Sequence, residues 1–269
     1  MDPRQACLAC LAQEPPALFE AALWIAAEHE PHLPPEQALR VLDELQRQLQ
    51  ATLPVAAGDI ERAQLLLRRL NELGFAEDDD VPLLARAALL PQVLQRRRGQ
   101  PLSLALIALE LARRQGIALQ GVNFPARFLL RVPGADHLLD PATGRRLYPR
   151  DCRDLLARHL GPNVELSAAF LRSAEPREML QRLSRNLRQL HQAAGDHLAA
   201  LKDAQRVLEL GAASAADHLA RADLYHQLEC PQAERYDLER ALLLSDDPAE
   251  QLRLGQRIEA IAVQKKALH

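Results

Sequence analysis

The stretch Pro101-Leu-Ser-Leu-Ala-Leu-Ile-Ala-Leu-Glu-Leu-Ala-Arg-Arg114, closed by Gln115-Gly116, decides how the rest of the chain is read. It predicts a strongly apolar helix over Leu102 to Arg114 that stops at the glycine. Two short β-like runs follow, Leu119 to Phe124 and Phe128 to Val132, then a Pro133-Gly134 turn, a third strand over His137 to Asp140 and a closing turn at Pro141 to Gly144. The last connections are too short for a crossover helix, so the strands are expected to run antiparallel. A helix feeding a small antiparallel sheet is the simplest reading.

Working outward toward the N-terminus, the chain reads as helices punctuated by proline. Ala17 to Glu30 carries Leu18, Ala22, Ile25 and Ala26 at helical spacing and ends at Pro31, Pro34 and Pro35. Leu39, Leu42, Leu45 and Leu49 form one stripe opposite Arg40, Asp43, Arg47 and Gln48, a surface helix with one buried face. Ala57 to Leu73 repeats that pattern, Glu77 to Asp80 is an acidic link suited to a helix N-terminus, and Leu83 to Leu94 continues the helical layer.

Toward the C-terminus a helix around Arg150 to His159 and an irregular link to Glu175 lead into helices with an internal repeat at a spacing of 34. Asp203 matches Asp237, Arg206 matches Arg240, and Leu190, Leu208 and Leu210 match Leu224, Leu242 and Leu244. That period is the one of tetratricopeptide (TPR) helical hairpins. The first copy has a Gly195-Asp196 turn and small Ala200, Ala204 and Val207, whereas Glu234 and Arg235 replace Ala200 and Leu201 in the second. Two copies are short for a free solenoid, so Ala249 to Val263 is expected to cap the array. The domains expected are 1–174 and 175–269.

The chain has 269 residues, 33 Lys+Arg against 36 Asp+Glu, and a formal charge of −3. No bulk basic field exists to hold nucleic acid or an anionic membrane, so neither is expected as a partner. With 11 glycines and 3% aromatics in a background rich in Leu, Ala, Arg, Glu and Gln, a sheet-rich fold is excluded. Met1 to Gln13 lacks a signal-peptide pattern, and no run of 18 uncharged apolar residues occurs, so a cytoplasmic protein is expected. Cys7, Cys10, Cys152 and Cys230 are too few and scattered for a disulfide framework.

Three blocks carry a resemblance: Gln95-Arg-Arg-Arg-Gly-Gln-Pro-Leu-Ser-Leu104, Gly121-Val-Asn-Phe-Pro-Ala-Arg-Phe-Leu-Leu-Arg131 and Leu139-Asp-Pro-Ala-Thr-Gly144. With the helical repeats after them, they resemble a bacterial family, the SirB-one type, that joins a transglutaminase-like core to C-terminal tetratricopeptide repeats. The resemblance implies an α+β, mostly helical fold: an N-terminal helical layer, a degenerate core related to papain and transglutaminases, and a short helical array. It also implies a nucleophile at the start of the core helix and a His and an Asp from adjacent strands. Carried over, those places are Ser103, Arg127 and Asp140.

Two of the three chemical parts are then wrong. A hydroxyl needs a base within hydrogen-bond reach, and a guanidinium stays protonated at any working pH. Asp140 is free to pair with Arg127 instead. No other histidine substitutes: His137 lies three residues before Asp140 and projects to the opposite face, while His29, His32, His191, His197, His218 and His226 make no ligand pair at metal spacing. Cys7 and Cys10 form a lone C-x-x-C read as packing, and Cys152 is a replacement nucleophile only if folding brings it beside Ser103. Arg96, Arg97 and Arg98 read as cations at a helix end, or more sharply as an anion contact. No Gly-rich phosphate loop is present, and no metal or cofactor is expected.

The expected function is a non-catalytic protein-interaction adaptor; the alternative is a hydrolase or acyl-transferase using Ser103. The binding face is expected on the first helix of each repeat: Arg182, Arg185, Gln189 and Gln192, with Asp223 and His226. Arg182, Arg185 and Arg188 form a positive stripe suited to an acidic protein or peptide partner, and the oligomeric state is open.

Overall fold

A computed structural model of the chain describes residues 2–50, 57–125 and 127–267, with side chains as far as 261. In chain order its α-helices are α1 (Pro3–Leu11), α2 (Leu18–His29), α3 (Pro35–Gln50), α4 (Asp59–Glu72), α5 (Leu90–Arg96), α6 (Pro101–Arg114), α7 (Pro149–Leu160), α8 (Pro176–Ala193), α9 (His197–Leu210), α10 (Ala215–Gln227), α11 (Pro231–Leu244) and α12 (Pro248–Ala267). The strands are β1 (Ala76–Glu77), β2 (Arg98–Gly99), β3 (Gln120–Val122), β4 (Leu129–Arg131), β5 (Leu138–Leu139) and β6 (Arg146–Leu147). The residues group into two compact units, Met1–Leu183 and Ser184–His269, with the division inside α8.

In the first unit α6 is the central element. Pro101 opens it where a missing N–H costs nothing, and nine of its residues from Leu102 to Ala112 are buried. It is contacted by α2, α4 and α5 and by β1, β3 and β4. Gly116, at φ +64°, releases the chain in the left-handed region that a helix end needs. The antiparallel meander β3-β4-β5-β6 follows, with Leu130 opposite both Gly121 and Leu139. Leu129 and Leu138 project to the other face, where they join Val122, Phe124, Leu147, Cys152 and Leu156 beneath Leu166, Phe170 and Leu171.

The structure departs from expectation at three places here. The helix expected over Leu83 to Leu94 is a single 3₁₀ turn, Ala85–Ala87, followed by α5. Pro91 is the reason: within a continuous helix its ring would clash with the carbonyl of Ala87, which here accepts the Gln100 N–H at 2.7 Å. A fourth strand, β6, extends the sheet beyond the three expected. A parallel pair, β1 with β2, sets Ala76 beside Arg98.

In the second unit α9 and α11 start at 197 and 231 and end at 210 and 244, while α8 and α10 end at 193 and 227, an offset of 34 throughout. Small residues meet where these helices approach: Ala200 and Ala204 with Leu224, and Ala222 and Ala241 with Leu238 and Leu254. Both repeated aspartates are fully buried. Asp203 accepts from Arg206 and faces His191 at 2.7 Å each. Asp237 accepts from Arg221 at 2.7 and 2.8 Å and faces His218 at 2.8 Å. The two acids thus share burial and partner types but take their partners from different positions. Among the described residues no helix is long and apolar enough to cross a membrane.

Candidate functional site

Ser103 sits in the first turn of α6 and is 0% exposed. Its hydroxyl donates to the carbonyl of Ala88 at 3.1 Å. A proton held by a peptide carbonyl is not on the way to a base, and a sealed oxygen cannot meet a substrate.

Arg127 stands between β3 and β4 and makes four hydrogen bonds to two carboxylates. Its Nε and Nη2 donate to Asp140 Oδ2 at 2.9 and 2.6 Å, and Nη1 and Nη2 donate to Glu77 Oε1 and Oε2 at 2.9 and 2.8 Å. Burial works against the charged guanidinium, but the two carboxylates outweigh it and hold its pKa above the ordinary arginine value. The second oxygen of Asp140 accepts from the backbone N–H groups of Ala142 and Thr143 and from the Thr143 hydroxyl, all at 3.0 Å. This is the turn chemistry that Asp-Pro-Ala-Thr-Gly encodes, and Gly144 closes it at φ +67°. Asp140 therefore orients no imidazole; it is engaged in its own turn and an ion pair.

Glu77 is the member of this cluster that sequence reasoning missed. It lies on β1, and two-residue parallel ladders have no pattern to read. Charge complementarity between the acids at 77–80 and the arginines at 96–98 points to Asp78 and Asp80, not to Glu77, whose partner is Arg127. Arg96 donates to Asp78 at 2.6 Å and to Asp80 at 3.0 Å. Burial alone would raise the Asp78 carboxyl, yet the hydrogen bond from Arg96 and the N–H of Asp80 bring it below its usual value. Arg97 and Arg98 donate to the carbonyls of Leu73 and Gly74, at the end of α4. The run is thus a clasp on a helix C-terminus and its acidic link.

The remaining candidates are also placed. Cys7 and Cys10 are buried on α1, and burial raises the Cys10 thiol. Cys152 packs beneath the sheet with Leu129 and Leu138, where burial and then Asp151 push its thiol up to about 11, so it carries little thiolate at neutral pH. His137 is buried, with Nδ1 2.8 Å from Asp136 Oδ1.

The residues expected to bind a partner are engaged within their units. Arg182 donates to Asn123 Oδ1 at 2.8 Å and to the carbonyl of Phe124 at 2.9 Å, and Arg185 makes a two-pronged pair with Asp217 at 2.8 Å. Arg188 is buried, and burial lowers its pKa. Asp223 pairs with Arg257, and His226 lies 3.1 Å from Glu234. Gln189 is exposed and Gln192 half-buried. The sequence shows an Arg-x-x-Arg-x-x-Arg stripe; what it does not show is that Asn123 and Asp217 are folded against it.

The pair at Asp217 has a measurable consequence. Burial alone would raise this carboxyl, but hydrogen bonds from Arg185 and from Ser214 lower it from 3.8 to about 2. A depressed pKa adds stability above the unfolded value and loses it as pH falls from about 4 toward 2. On linkage this is worth about 2 kcal/mol. Denaturant midpoints at pH 5 and pH 2.5 should therefore diverge more for the wild type than for Asp217→Asn; equal slopes would mean the pair contributes nothing.

Residues 36–185 match the family model described as the transglutaminase-like superfamily. Over 270 residues, covering all of both chains, the protein is 73% identical to a UPF0162 protein of Pseudomonas aeruginosa. A UPF0162 protein of Xylella fastidiosa is 37% identical over 182 residues, 65% of this chain and 64% of that one. Protein SirB1 of Salmonella typhimurium is 27% identical over 215 residues, 78% of this chain and 80% of its own. No solved structure matches the chain.

Proposed function

We propose, from the premise that the chain belongs to the transglutaminase-like superfamily and the UPF0162/SirB1 family, that it is a non-catalytic adaptor for another protein. The observation that carries this reading is Arg127. At the place of the general base stands a permanent cation, bonded to Glu77 and Asp140, while Ser103 gives its proton to a carbonyl. Acyl transfer needs a group that takes the nucleophile's proton; the two carboxylates here are engaged by Arg127, and the Ser103 hydroxyl is bonded to the Ala88 carbonyl instead.

We read the C-terminal helices as a short tetratricopeptide-like array capped by α12. The constant offset of 34 and the small residues between adjacent helices support that reading. The proposed domain boundary stays at 174/175, where α8 begins the array.

The partner we propose is a protein or peptide, met on the array. Tyr236 and Leu243 are exposed on α11, Leu243 at 77%, with Leu252 exposed on α12 and Arg240 stacked on Tyr236 at 5.2 Å. Tyr236, Arg240 and Leu243 recur at i, i+4 and i+7 and so share one face of α11; we take this face as the contact surface, where Arg240 would meet a carboxylate. The four free thiols support a reducing, cytoplasmic setting.

The test combines chemistry and capture. Purified protein is treated with a fluorophosphonate probe and with an amine donor plus a glutamine peptide; no product that depends on Ser103 is expected. Crosslinked partners from the native cell should be retained by Ser103→Ala and lost on Leu243→Glu. A covalent adduct present in the wild type and absent in Ser103→Ala would overturn the adaptor reading.

A further inference from the structure

The central helix α6 turns one strip toward a groove in the first unit. Leu106, Leu109, Glu110 and Arg113 recur at i, i+3, i+4 and i+7, and all four line a hollow of about 340 Å³. The first turns of α2 and α8 and strand β3 form its other walls. A second hollow of about 250 Å³ shares Phe19, Glu110 and Arg113 with the first and continues the groove along residues 13–20. Clefts of about 300–1,000 Å³ are of the size that encloses organic ligands.

Phe19, Leu106 and Met179 are nearly sealed, so they shape the groove without offering surface. By contrast Leu18, Leu109, Leu119 and Pro176 are half-buried, and Pro15 and Pro16 are exposed. These six leave apolar surface within the groove open to contact.

The charges along the groove are unbalanced. Glu14, Glu20, Glu110 and Glu175 line it against the guanidinium of Arg113. Arg113 is spent on Glu110, to which its Nε and Nη2 donate at 2.8 Å each, and Arg114 adds a bond at 2.7 Å. Glu20 acts on Arg113 only through space, beyond ion-pair distance. Glu14, Glu20 and Glu175 are exposed, and among the described residues none of them makes an ion pair. Three carboxylates thus stand beside leucine and proline surface without a bonded counter-charge.

We propose that this groove docks a peptide segment of a partner protein in which large apolar side chains are flanked by Lys or Arg. The apolar residues pack on Leu18, Leu109, Leu119 and Pro176, and the cations meet Glu14, Glu20 and Glu175. The charge pattern selects this occupant. A nucleic acid or an acidic segment would set its own anions against the three carboxylates. A small inorganic cation would leave the leucines wet. The groove lies in the other unit from the α11 face and has the opposite charge, so this inference does not rest on the adaptor reading.

The test selects phage-displayed random dodecapeptides on the immobilised full chain, then titrates the enriched peptides, made with a fluorophore, by anisotropy. Enriched sequences should carry Leu, Ile, Phe or Met beside Lys or Arg. Their affinity should fall about tenfold or more on Leu109→Glu and on Glu14→Lys/Glu20→Lys, and weaken with rising salt. The double variant changes only exposed side chains without an ion pair, which keeps the test decisive if Leu109→Glu does not fold. Leu243→Glu should leave binding unchanged, which separates the groove from the α11 face. No enrichment, enriched peptides without cations, or binding that survives both groove variants would each overturn the proposal. Loss on Leu243→Glu alone would place the peptide on α11 and overturn it too.

Discussion

Asp203→Ala should lower the denaturant midpoint of the Ser184–His269 unit more than any other single change in it. Asp203 is fully buried and is the carboxylate that Arg206, 2% exposed, donates to at 2.7 Å. Removing it leaves a guanidinium deep in the unit without that counter-charge, and breaking a buried pair from one side costs about 3–5 kcal/mol. For a unit of this size that is a fall of ~10 °C or more in Tm. Asp237→Ala, its repeat equivalent, should cost roughly half as much, because Arg221 and His218 keep 16% and 14% exposure and recover hydration from water. The exposed Arg240→Ala should change stability by about 0.5 kcal/mol or less. Far-ultraviolet circular dichroism against urea, with the slope unchanged, would measure all three. If Asp203→Ala behaves like Arg240→Ala, the buried network is not what holds the repeat together.

The second large effect is expected at Arg127→Ala. It removes four hydrogen bonds at once and leaves Asp140, 9% exposed, with only the bonds of its own turn. Glu77, half open to water, rehydrates, so the cost is discounted to about 2–4 kcal/mol. Arg127→Lys should recover only part of it, since an ammonium cannot fork across two carboxylates. Arg127→Leu with Asp140→Asn should recover most, because the amide oxygen still accepts from the turn while the unpaired charge is gone. Trp24, the single tryptophan, lies on α2 in the same unit and gives a fluorescence readout. Were the double variant as unstable as Arg127→Ala, packing rather than charge would be the source of the loss.

These two clusters differ in how much of them the chain reveals. The Arg127–Asp140 pair follows from two residue identities: a base place filled by a guanidinium and an acid that needs a partner. Glu77 does not follow, because it is 50 residues away and arrives on a two-residue strand. The repeated aspartates are visible as identities at an offset of 34, but their burial and their choice of Arg206 or Arg221 come from helix packing.

Local chemistry in the chain was enough for the elements that obey short-range rules. The apolar run over Leu102 to Arg114 and the glycine after it fix a buried helix and its end. Turn residues separate the strands that follow, and the spacing of Leu, Ala and Asp sets the helical register beyond residue 190. Tertiary structure alone decided what those elements bring together. It folded Asn123 and Asp217 against the arginine stripe, sealed Ser103 under Ala88, and set Arg131 and His137 around one cavity. The reason is physical: propensity and periodicity act over a few residues, whereas a guanidinium's partner or a cavity's wall is chosen by contacts between segments tens of residues apart.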